Sequence, residues 1–436
     1  MDLRHWFRAE TWQLDSRLWF LICATFGSYF GFLISTPVTL IAILCLVASL
    51  GYAHWQENPN ALAVWPWAEW LTLGGLLVAY IAISNFWSAD TRATIMTAWL
   101  IGALIVVTYG GLLLISRCPT AWLEHMTRTM LIAVIAALSF FIFENLTNHA
   151  LERVVFWPFR AIRFGADGVW FDRTTVIEIS DTSIRWRMPA LGFLLWPALL
   201  ICSLQLKNST TPVVWCLQAV LVGAAGWMMW YSYHRTSVVA LMVAIVVFAA
   251  ASWRPVEVRR LLSGAWLAGF VLIIPMALML FSFNLHRDPR LANSLDARII
   301  LWAHTAQQVA KHPFRGVGAA ATKLLDDRNF TAAEATTPAG FVYLWRTGPH
   351  AHNIFLQSWF ELGALGTILF AAFGFYILNL TARAPLATQP YLQAAFAAVA
   401  TTGSASFGLF EPWFMGTFAM CALTCVMAVT YHRRLV

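Results

Sequence analysis

The longest polar segment of this chain ends in the sequence Gly348-Pro349-His350-Ala351-His352-Asn353-Ile354-Phe355-Leu356-Gln357, and the same sequence begins a hydrophobic helix. Pro349 and the polar residues around it are typical of a helix start, and the residues from Ile354 onward are apolar. The two histidines are therefore expected where water meets the membrane. A neutral histidine at such a border can accept a proton near neutral pH.

The composition is that of an integral membrane protein. Hydrophobic residues make up 60% of the 436 residues and charged residues only 11%, whereas soluble domains of this length carry roughly 25% charged residues. Long apolar stretches recur along the whole chain. We therefore expect a single membrane domain over residues 1–436, without a separate soluble catalytic domain.

The apolar stretches predict an all-α protein with about twelve transmembrane helices of roughly 17 to 25 residues each. Their predicted starts lie near Leu18, Val38, Ala68, Met96, Thr129, Met188, Pro212, Thr236, Leu262, Asn353, Tyr391 and Trp413.

Basic residues in short loops predict the orientation, because Lys and Arg are enriched on the cytoplasmic side. A cytoplasmic N-terminus leaves only Arg92 and Arg235 in the short outer loops. An even number of spans makes the C-terminus cytoplasmic as well. Two long loops, residues 146–187 and 285–352, are then periplasmic.

The second long loop contains a predicted amphipathic helix that begins near Ser294 and stops at Pro313. Arg298 lies at the edge of its apolar face, one turn before Trp302. A partly shielded guanidinium there needs an anionic partner. The alternative is an ordinary ion pair with a nearby carboxylate, or a side chain that reaches to water.

His352 and Arg235 are the other candidates that position alone suggests. A helix N-terminus disfavours the protonated imidazole, so His352 is expected to be neutral and able to act as a base. The alternative is a histidine that only caps the helix or packs under the loop. Arg235 stands at the mouth of a span, where an arginine needs a partner or a function unless it simply reaches to water.

These residues resemble the motifs of the O-antigen ligase and polymerase superfamily. Arg298 with Trp302 resembles its arginine motif. His352-Asn353 followed by Gly363-Ala364-Leu365-Gly366 resembles its His-Asn…Gly-x-x-Gly signature, and His234-Arg235-Thr236-Ser237 resembles its Ser-Arg-Thr segment.

The resemblance covers residues 235–366, and three positions within or beside it depart from the family pattern. His234 replaces a usual serine, Trp302 stands where some ligases have leucine, and Leu365 stands where ligases often have threonine. The departures bear on the choice of ligase over polymerase.

The resemblance implies an all-helical membrane glycosyltransferase of the GT-C class in the bacterial inner membrane. Such ligases transfer a glycan from undecaprenyl diphosphate to a lipid A–core sugar on the periplasmic face, with inversion and without a metal or cofactor. His352 would be the general base, and Arg298 and Arg235 would bind the diphosphate, since guanidinium forks match phosphate oxygens. Membrane lipids are expected partners and nucleic acid is not.

Five further residues are expected to contact the substrates. His350 would share or orient the base, and Arg346 would be an additional phosphate contact. In the first long loop, Arg160 and Arg163 lie among aromatic residues at helical spacing, which is typical of an interfacial segment. They would contact the diphosphate or a lipid headgroup, or only anchor the loop. Trp302 is the fifth residue that we expect to contact the substrates.

Three other functions fit the same sequence. A polymerase that extends glycans on the same carrier would use the same base and arginines. A protein O-oligosaccharyltransferase would differ in its acceptor. A transporter also fits twelve spans, but it usually carries charges near mid-membrane, and Glu361 is the main candidate for such a charge.

Overall fold

The structure is a computed structural model, which describes residues 16–35, 38–57, 69–156, 169–171, 176–179, 182–206, 209–288, 290–291, 293–328, 333–336, 342–344 and 347–436. The helices are α1 (Ser16–Ile34), α2 (Thr39–Glu57), α3 (Glu69–Ser84), α4 (Thr91–Arg117), α5 (Thr120–Leu146), α6 (Ala150–Phe156), α7 (Thr182–Arg185), α8 (Met188–Gln205), α9 (Thr211–Tyr231), α10 (Arg235–Trp253), α11 (Pro255–Ser282), α12 (Asn293–Val309), α13 (Thr322–Arg328), α14 (Ile354–Leu380), α15 (Gln389–Gly403) and α16 (Pro412–Leu435).

The all-helical membrane architecture is confirmed. Two short antiparallel strand pairs lie outside the bundle, and the sequence analysis did not anticipate them. In the first long loop β1 (Val169–Phe171) pairs with β2 (Val176–Ile179), and in the second β3 (Ala333–Thr336) pairs with β4 (Val342–Leu344).

Within the described ranges, ten helices are long and apolar enough to cross a membrane, fewer than the twelve predicted spans. The third and eleventh predicted spans correspond to α3 and α15, which have 16 and 15 residues. At 1.5 Å per residue they extend only about 24 and 22 Å, less than the roughly 30 Å hydrocarbon core. Each of the twelve predicted spans therefore corresponds to a helix, but within the described residues only ten of these helices are long enough to cross a membrane.

α15 is a largely buried helix that carries polar side chains. Gln393 is fully buried, and its amide nitrogen donates to the Pro255 carbonyl. α15 packs along α10 and α8. α8 is itself buried on every side, and Phe193 and Trp196 are among its largest enclosed side chains. These enclosed helices form the centre of the bundle.

The glycine motif in α14 interrupts that helix. Gly363 has φ +64° and ψ −171°, a backbone conformation that is essentially restricted to glycine. The interruption frees the carbonyls of Phe360 and Glu361 from their helical partners. They accept hydrogen bonds instead from Val317 and Gly318, at 3.1 and 3.0 Å.

Backbone N–H groups of α14 after the break also lose their helical partners, and they donate to the segment that contains Val317 and Gly318. Ala364 N donates to the Pro313 carbonyl at 2.8 Å. The partner segment, residues 310–321, is the loop that follows α12. Gly316 and Gly318 in this 310–321 loop also have positive φ, +67° and +102°. The glycines of the 310–321 loop and Gly363 of α14 thus act together to fix the second long loop on α14.

Glu361 completes this docking. Its buried carboxylate accepts hydrogen bonds from the Ala320 N–H at 2.7 Å and from the N–H and hydroxyl of Thr322. Gln357 donates to the same carboxylate at 3.1 Å and accepts from the Leu409 N–H at 2.8 Å. Through these contacts Glu361 fixes the loop to α14. They give no support to the transporter interpretation.

Replacing Gly363 with alanine is expected to lower the melting temperature of the purified protein. A Cβ there would lie 2.5 Å from the Arg315 nitrogen, and the strained backbone alone costs on the order of 1–3 kcal/mol. Gly223→Ala is the control, since Gly223 lies in α9 with open space around it. Equal melting temperatures for the two variants, measured by tryptophan fluorescence, would contradict the docking role of Gly363.

Candidate active site

The first turn of α14 is held by Asn353. Its Oδ1 accepts hydrogen bonds from the N–H groups of Phe355 and Leu356, both at 3.0 Å. This is the arrangement of a helix N-cap. Its Nδ2 donates to the Ser404 carbonyl at 2.7 Å, so the start of α14 is fixed to residues 404–411, the segment between α15 and α16. We refer to this segment as the 404–411 loop.

His352 lies directly before the cap, and its ring orientation is defined. The backbone has φ +51°, which is uncommon for a residue other than glycine. Its Nδ1 lies 2.6 Å from the Ser406 carbonyl oxygen. A carbonyl only accepts, so Nδ1 carries the proton and Nε2 keeps its lone pair. The ring is therefore held in the tautomer that a general base requires.

Burial lowers the pKa of His352 below its usual value, and the positive charge of Arg298 lowers it further, whereas the hydrogen bond to Ser406 acts in the opposite direction. The neutral form therefore predominates at neutral pH. The helix N-terminus predicts the same protonation state, and burial is the first physical cause of the lowered pKa of His352.

His350 is the second histidine of the site. Its ring centroid lies 4.1 Å from that of His352. Burial, with the charges of His352 and Arg298, lowers its pKa to about 3, so it too is neutral. Its Nδ1 lies 3.9 Å from Oε1 of Glu411, the residue that precedes α16. Burial raises the pKa of the Glu411 carboxyl.

A third histidine, His234, joins the site from the start of α10. Its Nδ1 accepts a hydrogen bond from the Ser237 N–H, so Nε2 carries the proton and donates to the Ser406 Oγ at 3.3 Å. Its ring stacks on Phe407 with a centroid distance of 5.7 Å. Burial, followed by the charges of Arg185 and Arg298, lowers its pKa to about 3. Ser406 thus connects two histidines.

Arg298 is the cation of the site. Burial lowers its pKa, and the nearby charge of Arg185 adds to that effect. Its own charge acts on the histidines 234, 350 and 352. Within the described ranges no carboxylate pairs with it. The ordinary ion pair considered from the sequence is therefore not formed among these residues.

Trp302 has a positioning role that the sequence did not indicate. Its Nε1 donates to the Ala351 carbonyl at 2.9 Å, and the side chain is buried. This hydrogen bond joins α12 directly to the segment between the two histidines. It explains how Arg298, one turn earlier on the same helix, is placed near them.

The other arginines predicted for the site are placed differently. Arg235 is exposed, and its guanidinium lies over the rings of Trp230 and Tyr233, at 4.4 and 5.6 Å from their centroids. It is not among the charges that act on His352. Arg160, Arg163 and Arg346 lie outside the described residues.

The sequence analysis missed His234, Arg185, Ser406, Phe407 and Glu411. His234 had been noted only as a departure from a serine. The 404–411 loop carries no motif, since its contributions are a backbone carbonyl, a hydroxyl and a ring. Only the aromatic and basic run that contains Arg185 offered a signal, and it resembles the run around Arg160.

A cluster of acidic residues and histidine near the first long loop was also not anticipated. Glu144, His149 and Glu152 are buried, and their potential ligand atoms lie within 4.8 Å of one another. Glu152 accepts from His149 and forms an ion pair with Arg187 at 2.8 Å. Glu144 accepts from the N–H groups of Leu151 and Glu152. The contacts are those of a structural network that fixes this loop.

The assembled site has a defined chemistry. It offers a neutral imidazole with a free Nε2, a half-buried guanidinium, and two further neutral histidines. Such a combination can remove a proton from a hydroxyl while it stabilises a nearby anion.

The comparison with protein families gives one match, to the family described as O-antigen ligase, over residues 219–371. The matched segment begins within α9 and ends within α14. It contains His234, Arg298 and His352, and it excludes Arg185 and the 404–411 loop. No curated protein matches the chain. Residues 219–371 therefore match the O-antigen ligase family model, which is consistent with the resemblance of the sequence motifs to the O-antigen ligase and polymerase superfamily.

Proposed function

We propose that the protein is an O-antigen ligase that transfers a glycan from undecaprenyl diphosphate to a sugar of lipid A–core. The observation that carries this proposal is the pair formed by His352 and Arg298. His352 has its Nε2 lone pair free, and Arg298 is half-buried without a carboxylate among the described residues. A base beside an unpaired guanidinium suits a hydroxyl acceptor and a diphosphate leaving group.

In the proposed step, the acceptor hydroxyl oxygen forms a bond to the anomeric carbon of the donor sugar. The bond between that carbon and the phosphate oxygen breaks, and its electron pair leaves with the diphosphate. The hydroxyl proton moves to Nε2 of His352. Attack from the face opposite the diphosphate inverts the anomeric configuration. Arg298 stabilises the charge that develops on the leaving group.

We further propose that arginine charge replaces a metal ion in this step. The charge of Arg298 acts on His352, and Arg235 is exposed at the start of α10, where it is accessible to a lipid-linked anion. Stacking on Trp230 leaves the guanidinium edge of Arg235 available for hydrogen bonds to phosphate.

The proposed orientation has the site on the periplasmic face of the inner membrane. Basic residues gather at the end of the bundle opposite His352, where Arg433 donates to the Arg383 carbonyl and Arg434 to the Ser116 carbonyl. An excess of Lys and Arg at membrane boundaries is typical of the cytoplasmic side. Both termini are then cytoplasmic.

Deletion of the gene is expected to leave lipopolysaccharide as bare core, with glycan accumulating on its carrier. Loss of a ligase removes the last transfer and leaves earlier steps intact. Core that carries a single repeat would instead indicate a polymerase, and unchanged lipopolysaccharide with an unglycosylated protein would indicate a protein O-oligosaccharyltransferase. Gel analysis of lipopolysaccharide, with extraction of the carrier lipid, distinguishes these outcomes.

His352→Gln is expected to lower the transfer rate of purified protein by about 10²- to 10⁴-fold, as for loss of a general base. In the wild type, activity requires neutral His352, so the rate falls as pH decreases through its pKa. That pKa is lowered from 6.5, and the acid limb is expected below pH 6.5. His234 and His350, with pKa values of about 3, stay neutral across this range.

Two substitutions of Arg298 separate its charge from its geometry. Arg298→Gln removes the charge that lowers the His352 pKa, so the acid limb should move to higher pH. Arg298→Lys keeps the charge and should leave the limb in place, while the rate falls roughly 10- to 100-fold because the bidentate fork is lost. Identical pH profiles for the wild type and Arg298→Gln would remove Arg298 from the site.

Treatment of the purified protein with EDTA is expected to leave the transfer rate unchanged, because fixed guanidinium groups supply the charge on the diphosphate. Inhibition that a divalent cation reverses would contradict the proposed metal independence. Glu152→Gln would then identify whether the cluster with Glu144 and His149 holds the ion.

A further inference from the structure

The end of the first long loop is held in place by an ion pair near the start of that loop. Arg187 lies 2.8 Å from Glu152, and both side chains are largely buried. The backbone N–H of Glu152 is in turn held by the Glu144 carboxylate at 2.9 Å. Because Arg187 directly precedes α8, this network determines where the two residues before it, Arg185 and Trp186, are presented.

Trp186 contacts Phe407, the residue that follows Ser406 in the 404–411 loop. It is 48% exposed, and its ring packs on Phe407 with a centroid distance of 5.6 Å. Phe407 contacts the His234 ring, 5.7 Å away and nearly parallel to it. The rings of Trp186, Phe407 and His234 therefore form a row from the surface to the Ser406 hydroxyl, to which His234 donates. A half-exposed tryptophan held at this position offers one free aromatic face beside the site.

Arg185 is exposed, and its charge acts on both His234 and Arg298. Within the described part of the chain it has no carboxylate partner, whereas Arg187, two residues later, is neutralised by Glu152. Like charges held near each other repel, and an anion between them removes that cost. Glu152 thus neutralises Arg187, whereas Arg185 stays exposed with its charge acting on Arg298.

We propose that Arg185 and Trp186 form a subsite for the sugar diphosphate end of the lipid-linked donor. Arg185 binds the diphosphate from the side opposite Arg298, and Trp186 stacks against the sugar attached to it. This inference rests on the proposed function and extends it to a loop that lies outside the family match.

The two residues divide the recognition by chemistry. A guanidinium fork matches phosphate oxygens and is indifferent to the sugar. The exposed indole face of Trp186 suits the apolar C–H face of a pyranose ring. The apolar surface buried between the indole and the sugar favours binding. The carrier without sugar and the carrier with one sugar should therefore respond differently to changes at the two positions.

The test measures the affinity of purified protein in nanodiscs for two probes. One probe is undecaprenyl diphosphate, and the other is the same carrier bearing a single N-acetylglucosamine. Arg185→Gln should weaken binding of both probes about tenfold, the loss of one charge-assisted contact, and Arg185→Lys should weaken it less. Trp186→Ala should weaken only the sugar-bearing probe by several-fold, and Trp186→Phe should retain its affinity.

Arg290→Gln is the matched control, because Arg290 is an exposed basic residue in the second long loop. It should bind both probes like the wild type. Wild-type affinity in Arg185→Gln, with reduced affinity in Arg298→Gln, would overturn this inference and leave the proposed function intact. Wild-type affinity in both variants would contradict the proposed function itself. Equal loss of both probes in Trp186→Ala would overturn the sugar contact.

Discussion

The hydrogen bond from His352 Nδ1 to the Ser406 carbonyl is the contact on which the site depends, because it decides which ring nitrogen is free. A side-chain acceptor in that place could rotate or become protonated, whereas a backbone carbonyl can do neither. The 404–411 loop keeps the carbonyl in position through the contacts of Asn353 with Ser404 and of Gln357 with Leu409. The same loop brings His234 within reach of the Ser406 hydroxyl.

The membrane imposes the second constraint, since backbone groups that leave a helix must find other partners. The break at Gly363 meets this constraint by exchanging helical hydrogen bonds for bonds to the 310–321 loop. The loop in turn follows α12, which carries Arg298 and Trp302. One glycine therefore links the long helix that begins just after His352 to the loop that follows α12, the helix that bears Arg298. The shared dependence explains why motifs far apart in the sequence act as one unit.

Much of this arrangement could be predicted from the sequence. Hydropathy predicted the twelve long apolar helices, and the positions of His352 and Arg298 made them candidates for the site. The glycines of α14 were indicated by the resemblance to the family signature. Hydropathy could not separate α15 from a full span, since its apolar residues are interrupted only by a few polar side chains, such as the amides of Gln389 and Gln393, whose nitrogens donate to backbone carbonyls. It also could not select Ser406 or Arg185, whose roles arise from backbone position and from the pairing of Arg187 with Glu152.

The division of α14 at Gly363 has a consequence for how substrates reach the base. The residues from Ile354 to Leu362, which precede the break, are almost all buried, and they are fixed at one end by Asn353 and at the other by the 310–321 loop. The imidazole of His352 therefore directly precedes a half-helix that is fixed at both ends. In such a site little reorganisation energy is needed, so for the proposed transfer we expect the approach and alignment of the substrates to determine the rate.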